Sequence, residues 1–275
     1  MKFDLHCHSY YSDGELSPTE VVKLALEQGI THLALTDHDT LAGLDEAQLA
    51  AQDHGLNFIK GVELSCNWES QLLHIVGLNV DPKNDALKLI ISQNIERRLT
   101  RAEMMFVDFE QHDIDLRDQV AQMIEGKGVP TRPHFAQALI DKGYAKNKNQ
   151  AFKRYLVRGK PGYIPMEWPD LVEVANAITQ ANGIAVLAHP MRYKFTRTRL
   201  IRLIKDMQIA GVKGMEISTP TNNDDQISML SRLAIEFDLL ASMGSDFHAL
   251  NQPWARLGAA VDLPQGLTPV WTGFH

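Results

Sequence analysis

The chain has 275 residues, 44% hydrophobic and 22% charged, with a formal net charge of −7. This is ordinary globular usage with material for a large core, and the acidic balance argues against a protein that coats nucleic acid, though not against a nucleotide or nucleic acid end as substrate. Two cysteines, Cys7 and Cys66, exclude a disulfide framework. No apolar run approaches the roughly 20 residues of a membrane span and no secretory h-region follows Met1, so the expectation is a cytoplasmic protein with no membrane role.

In chain order, short apolar runs at 3–6, 32–36, 58–63, 72–78, 184–189, 215–218 and 239–245 read as buried parallel strands. Helical patterns lie between them. The first is well signalled: Ser17 suits an N-cap, Pro18 the first helical position, Glu20 a capping box, and Gly29 the stop. Further helices are expected near 41–54, 169–182, 198–210 and 223–237. Alternating strands and helices imply βα units, and seven strands favour a closed or nearly closed α/β barrel over an open sheet.

From 83 to 167 the strand signals fade. Helical patterns at 84–110, 118–125, 134–142 and 149–157 replace them, with basic residues that include Arg97, Arg98, Arg101, Arg132, Lys153, Arg154, Arg158 and Lys160. The chain thus reads as a barrel of residues 1–82 and 168–275, with a helical insertion at 83–167 placed to cap a substrate.

The chemistry-bearing residues fall where strands end. His6 and His8 lie two apart and face one side, while Cys7 points away and reads as a plain buried thiol. Asp13 follows in the next loop. His38, Glu63, His74, His189, Asp246 and His248 end or follow later strands. Taken singly each has a bland explanation: a histidine at a strand end is usually a hydrogen-bonded core residue, and an aspartate there is often a helix cap. Nine such residues on successive strand ends converge on one barrel mouth, where buried imidazoles and carboxylates need cations to offset desolvation. That donor set suits Mn, Fe or Zn. His32, at the opposite strand end, and His54, His112 and His275 fall outside the set.

The segments DLHCHSYYSDG, LTDHDT, GVELS, HIVG, AHP and GSDFH, spanning residues 4–248, resemble the PHP (polymerase and histidinol phosphatase) phosphoesterase superfamily. ERR (96–98), TRPHFA (131–136), YLVRGKPGYIP (155–165) and AHPMRY (188–193) resemble its TrpH-like branch, which includes a 5′-to-3′ exoribonuclease and a 3′,5′-nucleoside bisphosphate phosphatase. Pro133 stands where that branch commonly has glycine.

The resemblance implies a distorted seven-stranded β/α barrel with a helical insertion and three divalent metal ions. One metal would take His6, His8, Glu63 and Asp246. A second would share Glu63 and add His74 and His189, and a third would take Asp13, His38 and His248. Arg132, Arg158, Lys160 and Arg192 would bind substrate phosphate, with Arg132 and His134 as the catalytic candidates, His134 as phosphate binder or proton donor. The implied activity is hydrolysis at the 3′ oxygen of 5′-phosphorylated nucleotides, on a nucleoside bisphosphate or a short 5′-phosphorylated RNA, with no obligate protein partner. Competing readings are a monophosphatase of the histidinol phosphate type, an amidohydrolase acting on C–N bonds, and a non-catalytic metal-holding module.

Overall fold

The computed structural model describes residues 1–274; His275 lies outside the described residues. Seven strands, β1 (Phe3–Asp4), β2 (His32–Leu35), β3 (Asn57–Trp68), β4 (Gln71–Leu78), β5 (Ile184–Leu187), β6 (Gly214–Ser218) and β7 (Leu240–Met243), form one sheet in chain order. The sheet curls until its ends meet. Leu5 N donates to Met243 O at 3.1 Å, Asp246 N to His6 O at 2.8 Å and His8 N to Phe247 O at 2.9 Å, which nearly closes a barrel. The expected α/β barrel is therefore present.

One expectation fails. The strands are not all parallel: β4 runs antiparallel to both β3 and β5. The cause is local. β3 continues past Glu63 to Trp68, and only Glu69 and Ser70 separate it from β4. Two residues close a hairpin, whereas parallel neighbours need a crossover of roughly a dozen residues or more. Both strands are nonetheless largely buried, so their apolar runs look like those of a parallel sheet.

Helix α1 (Pro18–Glu27) forms as its signals require: Ser17 N donates to Glu20 Oε2 at 2.8 Å and Glu20 N to Ser17 Oγ at 3.1 Å. Helix α2 (Leu44–His54) packs beside it. Next come α3 (Asp85–Glu110), α4 (Arg117–Ile124), α5 (Arg132–Asp141) and α6 (Lys148–Ala151), then α7 (Leu171–Gln180), α8 (Arg197–Ala210) and α9 (Asp224–Glu236) back on the barrel. Pro133 sits in the first turn of α5, where its missing N–H costs nothing.

Helix α3, about 39 Å long at 1.5 Å per residue, serves two cores. Leu87, Ile90 and Ile91 pack with barrel residues such as Val174 and Ile178. Further along, Ala102, Met105 and Phe109 pack with Phe135, Leu139 and Leu156 in a separate helical cluster. Between the two stretches, Asn94 and Arg98 turn polar groups inward. Arg98 Nε and Asn94 Nδ2 each donate to Asp39 at 2.7 Å, which pins the helix across the barrel mouth.

Candidate metal centre and its cavities

The loop after β1 is held by Asp37, which accepts from Ser9 N at 2.7 Å, Ser9 Oγ at 2.6 Å and Ser12 Oγ at 2.7 Å. This fixes Asp13 beside His8. Gly244 lets the β7 end close on β1, because a Cβ there would lie 2.4 Å from His6 Cβ. Asp39, His189 and Asp246 adopt φ of +52°, +32° and +53°. Such left-handed backbone in non-glycine residues is strained and clusters at functional sites.

Three groups of candidate ligand atoms result, each with all its atoms within 4.8 Å of one another: His6, His8, Glu63 and Asp246; His8, Asp13, His38 and His248; and His38, Glu63 and His74. All nine candidate residues meet at the mouth, Glu63 and His74 from within β3 and β4 rather than from strand ends. His189 stands at the edge of the third group, its Nε2 3.1 Å from Glu63 Oε1.

The donor atoms fit metal ions. Asp13 Oδ1, His38 Nδ1, Glu63 Oε2, His74 Nδ1 and His189 Nδ1 are buried with no hydrogen-bond partner. His38 Nδ1 lies 2.7 Å from Glu63 Oε2 but without hydrogen-bond geometry. So many orphaned acceptors in one place would be costly unless a cation meets them.

Without metal the groups of the cluster set one another's charge: burial lowers His6, His38 and His248, but the carboxylates beside them raise all three. Burial alone would raise the carboxyl groups of Asp13, Glu63 and Asp246, yet the surrounding imidazoles and Arg192 hold all three well below the usual range. Burial and the neighbouring His248 and His38 push His8 down to about 3, leaving a neutral imidazole, which is the ligating form.

A residue missed by sequence reasoning sits beneath the cluster. Glu216, in β6, accepts from His6 Nδ1 at 2.6 Å and from His189 N at 2.5 Å. A carboxylate behind an imidazole fixes its tautomer and raises its basicity. The available signal was a carboxylate inside an otherwise apolar strand run. Arg192 reaches Asp246 directly and forms an ion pair with it.

Three adjoining cavities open on the cluster. The central one, about 260 Å³, is walled by Asp13, His74, Asp246 and His248 together with Arg101 and Arg132. A second, about 910 Å³, shares His74, Arg101, Arg132 and Trp168 with it. Burial and the nearby charges of Arg98 and Arg132 push Arg101 down to about 9, so it stays charged at neutral pH. Its guanidinium lies over Trp168 at 5.2 Å. Among the described residues the side chains of Arg101 and Arg132 form no hydrogen bond and no ion pair.

Of the remaining sequence candidates, Arg192 borders all three cavities. His134 borders none. Its Nδ1 lies 3.1 Å from the Thr131 N–H it accepts, capping the helix that begins at Arg132. Arg158 and Lys160 are exposed and also border none. Cys7 is fully buried in an apolar cluster, as its strand position implied. His32 stacks on Phe3 at the far end.

A barrel with this cluster at its mouth is that of a metal-dependent phosphoesterase. The PHP domain model matches residues 4–160, more than half of the sequence, and the chain belongs to that family. A 5′-3′ exoribonuclease of Haemophilus influenzae is 43% identical over 273 residues, covering 99% of each chain. A 3′,5′-nucleoside bisphosphate phosphatase of Chromobacterium violaceum is 40% identical, covering 98% of this chain and 94% of its own. A solved Chromobacterium violaceum structure, described as an amidohydrolase with bound sulfate and no metal, matches with a TM-score of 0.94 at 39% identity, covering 100% of this chain and 96% of that one. No helix among the described residues is long and apolar enough to cross a membrane.

Proposed function

We propose that the enzyme hydrolyses the phosphoester at the 3′ oxygen of a 5′-phosphorylated nucleotide, acting on nucleoside 3′,5′-bisphosphates and on the 5′ end of short 5′-phosphorylated RNA. The observation that carries this reading is the pair Arg101 and Arg132, two cations with no acidic partner in the wall shared by the central cavity and the larger one beside it. A monophosphatase needs one anion site, and the metal cluster supplies it. A second, separate anion site calls for a substrate with a second phosphate, as in the 3′,5′-nucleoside bisphosphate that one relative's name describes.

Three divalent ions, of Mn, Fe or Zn, fit the nine ligands. When bound, such ions lower the pKa of water toward neutrality and offset charge on the phosphoryl oxygens. The chain does the rest. Arg101 and Arg132 hold the 5′ phosphate, guanidinium being suited to bidentate phosphate contact. Arg192, at the junction of the cavities, meets the phosphoryl group being transferred. His134 positions Arg132 through its helix cap. The second half of α3 with α4 to α6 forms the cap over the substrate.

In the reaction a water oxygen bonds to phosphorus, the P–O3′ bond breaks, and the 3′ oxygen leaves with a proton. The products are a nucleoside 5′-monophosphate and either inorganic phosphate or an RNA one nucleotide shorter with a new 5′ phosphate. One active site therefore serves both activities. The C–N hydrolase reading leaves this second anion site unexplained.

The test compares 5′-phosphorylated with 5′-hydroxyl substrates in wild type and Arg132→Ala. Wild type should prefer the 5′ phosphate strongly, and the variant should lose that preference while keeping its metal. Equal preference in both proteins would refute the assignment.

A further inference from the structure

The third cavity, about 340 Å³, opens on the other flank of the metal centre. It shares Asp13, Asp246 and His248 with the central cavity and only Arg192 with the large one. Its outer wall carries Trp254, in a short 3-10 turn (Pro253–Ala255). Ala255 is buried and anchors that turn, while Trp254 is 60% exposed. Among the described residues the indole makes no ring contact and donates no hydrogen bond. Phe152 and Lys148 face the same cavity. A large aromatic exposed on the wall of a cavity that opens on the metal centre offers its face to a planar ligand.

We infer that this cavity receives the nucleotide downstream of the scissile bond, with its base stacked on Trp254. The inference rests on the nucleotide reading above. If Arg101 and Arg132 take the terminal 5′ phosphate on one flank and the scissile phosphate lies at the metal centre, an RNA has the other flank left for its next residue. Lys148 supplies a cation for the downstream backbone. Stacking on an aromatic ring accepts any base, which suits an enzyme that moves along a strand. A nucleoside bisphosphate ends at the scissile phosphate and never reaches Trp254. The tryptophan thus separates the two substrates: it contributes to RNA binding and is idle toward the bisphosphate.

The experiment measures kinetics of metal-loaded wild type, Trp254→Ala and Trp254→Phe on adenosine 3′,5′-bisphosphate and on a 5′-phosphorylated RNA of four nucleotides. Loss of one stacking contact should raise KM for the RNA about 5- to 150-fold in Trp254→Ala. Trp254→Phe should recover most of it. Bisphosphate hydrolysis should stay within about twofold in all three proteins, which also reports intact folding. Tryptophan fluorescence of the metal-loaded protein titrated with a hydrolysis-resistant phosphorothioate RNA of the same length should be quenched in wild type and much less in Trp254→Phe. Unchanged RNA kinetics in Trp254→Ala, or equal losses on both substrates, would overturn the inference while leaving the nucleotide reading standing. Wild type inert toward both substrates would remove the nucleotide reading and this inference with it.

Discussion

Glu216 is the most informative residue to perturb, because it touches two candidate ligands yet is not proposed to ligate. Its carboxylate is buried and accepts from His6 Nδ1 at 2.6 Å and His189 N at 2.5 Å. With Nδ1 so engaged, His6 Nε2 faces Glu63, His8 and Asp246, 3.1 to 3.3 Å away. Glu216→Ala leaves two buried donors unmet at about 1–3 kcal/mol each, so about 2–6 kcal/mol of stability is lost. That is a large share of a typical total of about 5–15 kcal/mol, and this variant is expected to express poorly. Glu216→Gln is the cleaner probe. It keeps the volume and one acceptor oxygen but removes the charge that raises the basicity of His6. Metal affinity should fall about 10- to 100-fold, as for other partners behind a ligating histidine, equivalent to about 1.4–2.7 kcal/mol. Titration of the chelated protein with Mn²⁺, followed calorimetrically beside a denaturant melt, separates the two effects. Metal affinity equal to wild type in a folded Glu216→Gln protein would refute the claim that Glu216 orients His6.

Other consequences follow from the same cluster. Arg98→Ala strands Asp39 as a buried unpaired carboxylate and should cost about 3–5 kcal/mol in a denaturant melt; a loss below 1 kcal/mol would show that the pair does not pin α3 to the barrel. Burial lowers His248, but the charges of Asp13 and Asp246 more than offset that and raise it to about 9 in the metal-free protein. A histidine raised on folding stabilises fully below its unfolded pKa near 6.5 and loses that contribution as pH rises through its folded value. Metal-free protein should therefore lose stability between about pH 6.5 and 9, whereas metal affinity should rise over the same window as the proton is displaced. Stability that climbs across that window would contradict the assignment.

The candidate ligands were legible in the sequence because most stand at or just beyond a strand end, and a barrel gathers strand ends whatever lies between them; Glu63 and His74 lie within β3 and β4 instead. The helices α3 to α6 were legible for a different reason: the apolar spacing there changes to the helical period. The antiparallel β4 was not, because burial on both faces erases the alternation that usually marks an antiparallel strand. Its clue was distance along the chain, since the few residues between Glu63 and Leu72 cannot hold a crossover helix. Arg101 was hidden by its helix. A basic residue on α3 looks like solvated surface until the fold turns that face toward Trp168. Arg158 and Lys160 lie in a basic, glycine-containing loop that looks like a phosphate grip; the fold leaves both exposed and outside the three cavities, a placement no local pattern states. Glu216 escaped notice because one carboxylate in an apolar strand has no spacing to reveal its partners.

The central claim is that the buried cluster is a metal centre for phosphoester hydrolysis. The direct measurement is phosphate release from adenosine 3′,5′-bisphosphate before and after exhaustive chelation, with metal content determined on the same samples. Turnover should fall in proportion to bound metal and return on adding Mn²⁺. Undiminished turnover by protein shown to be metal-free, or none by protein with its metals bound, would contradict it.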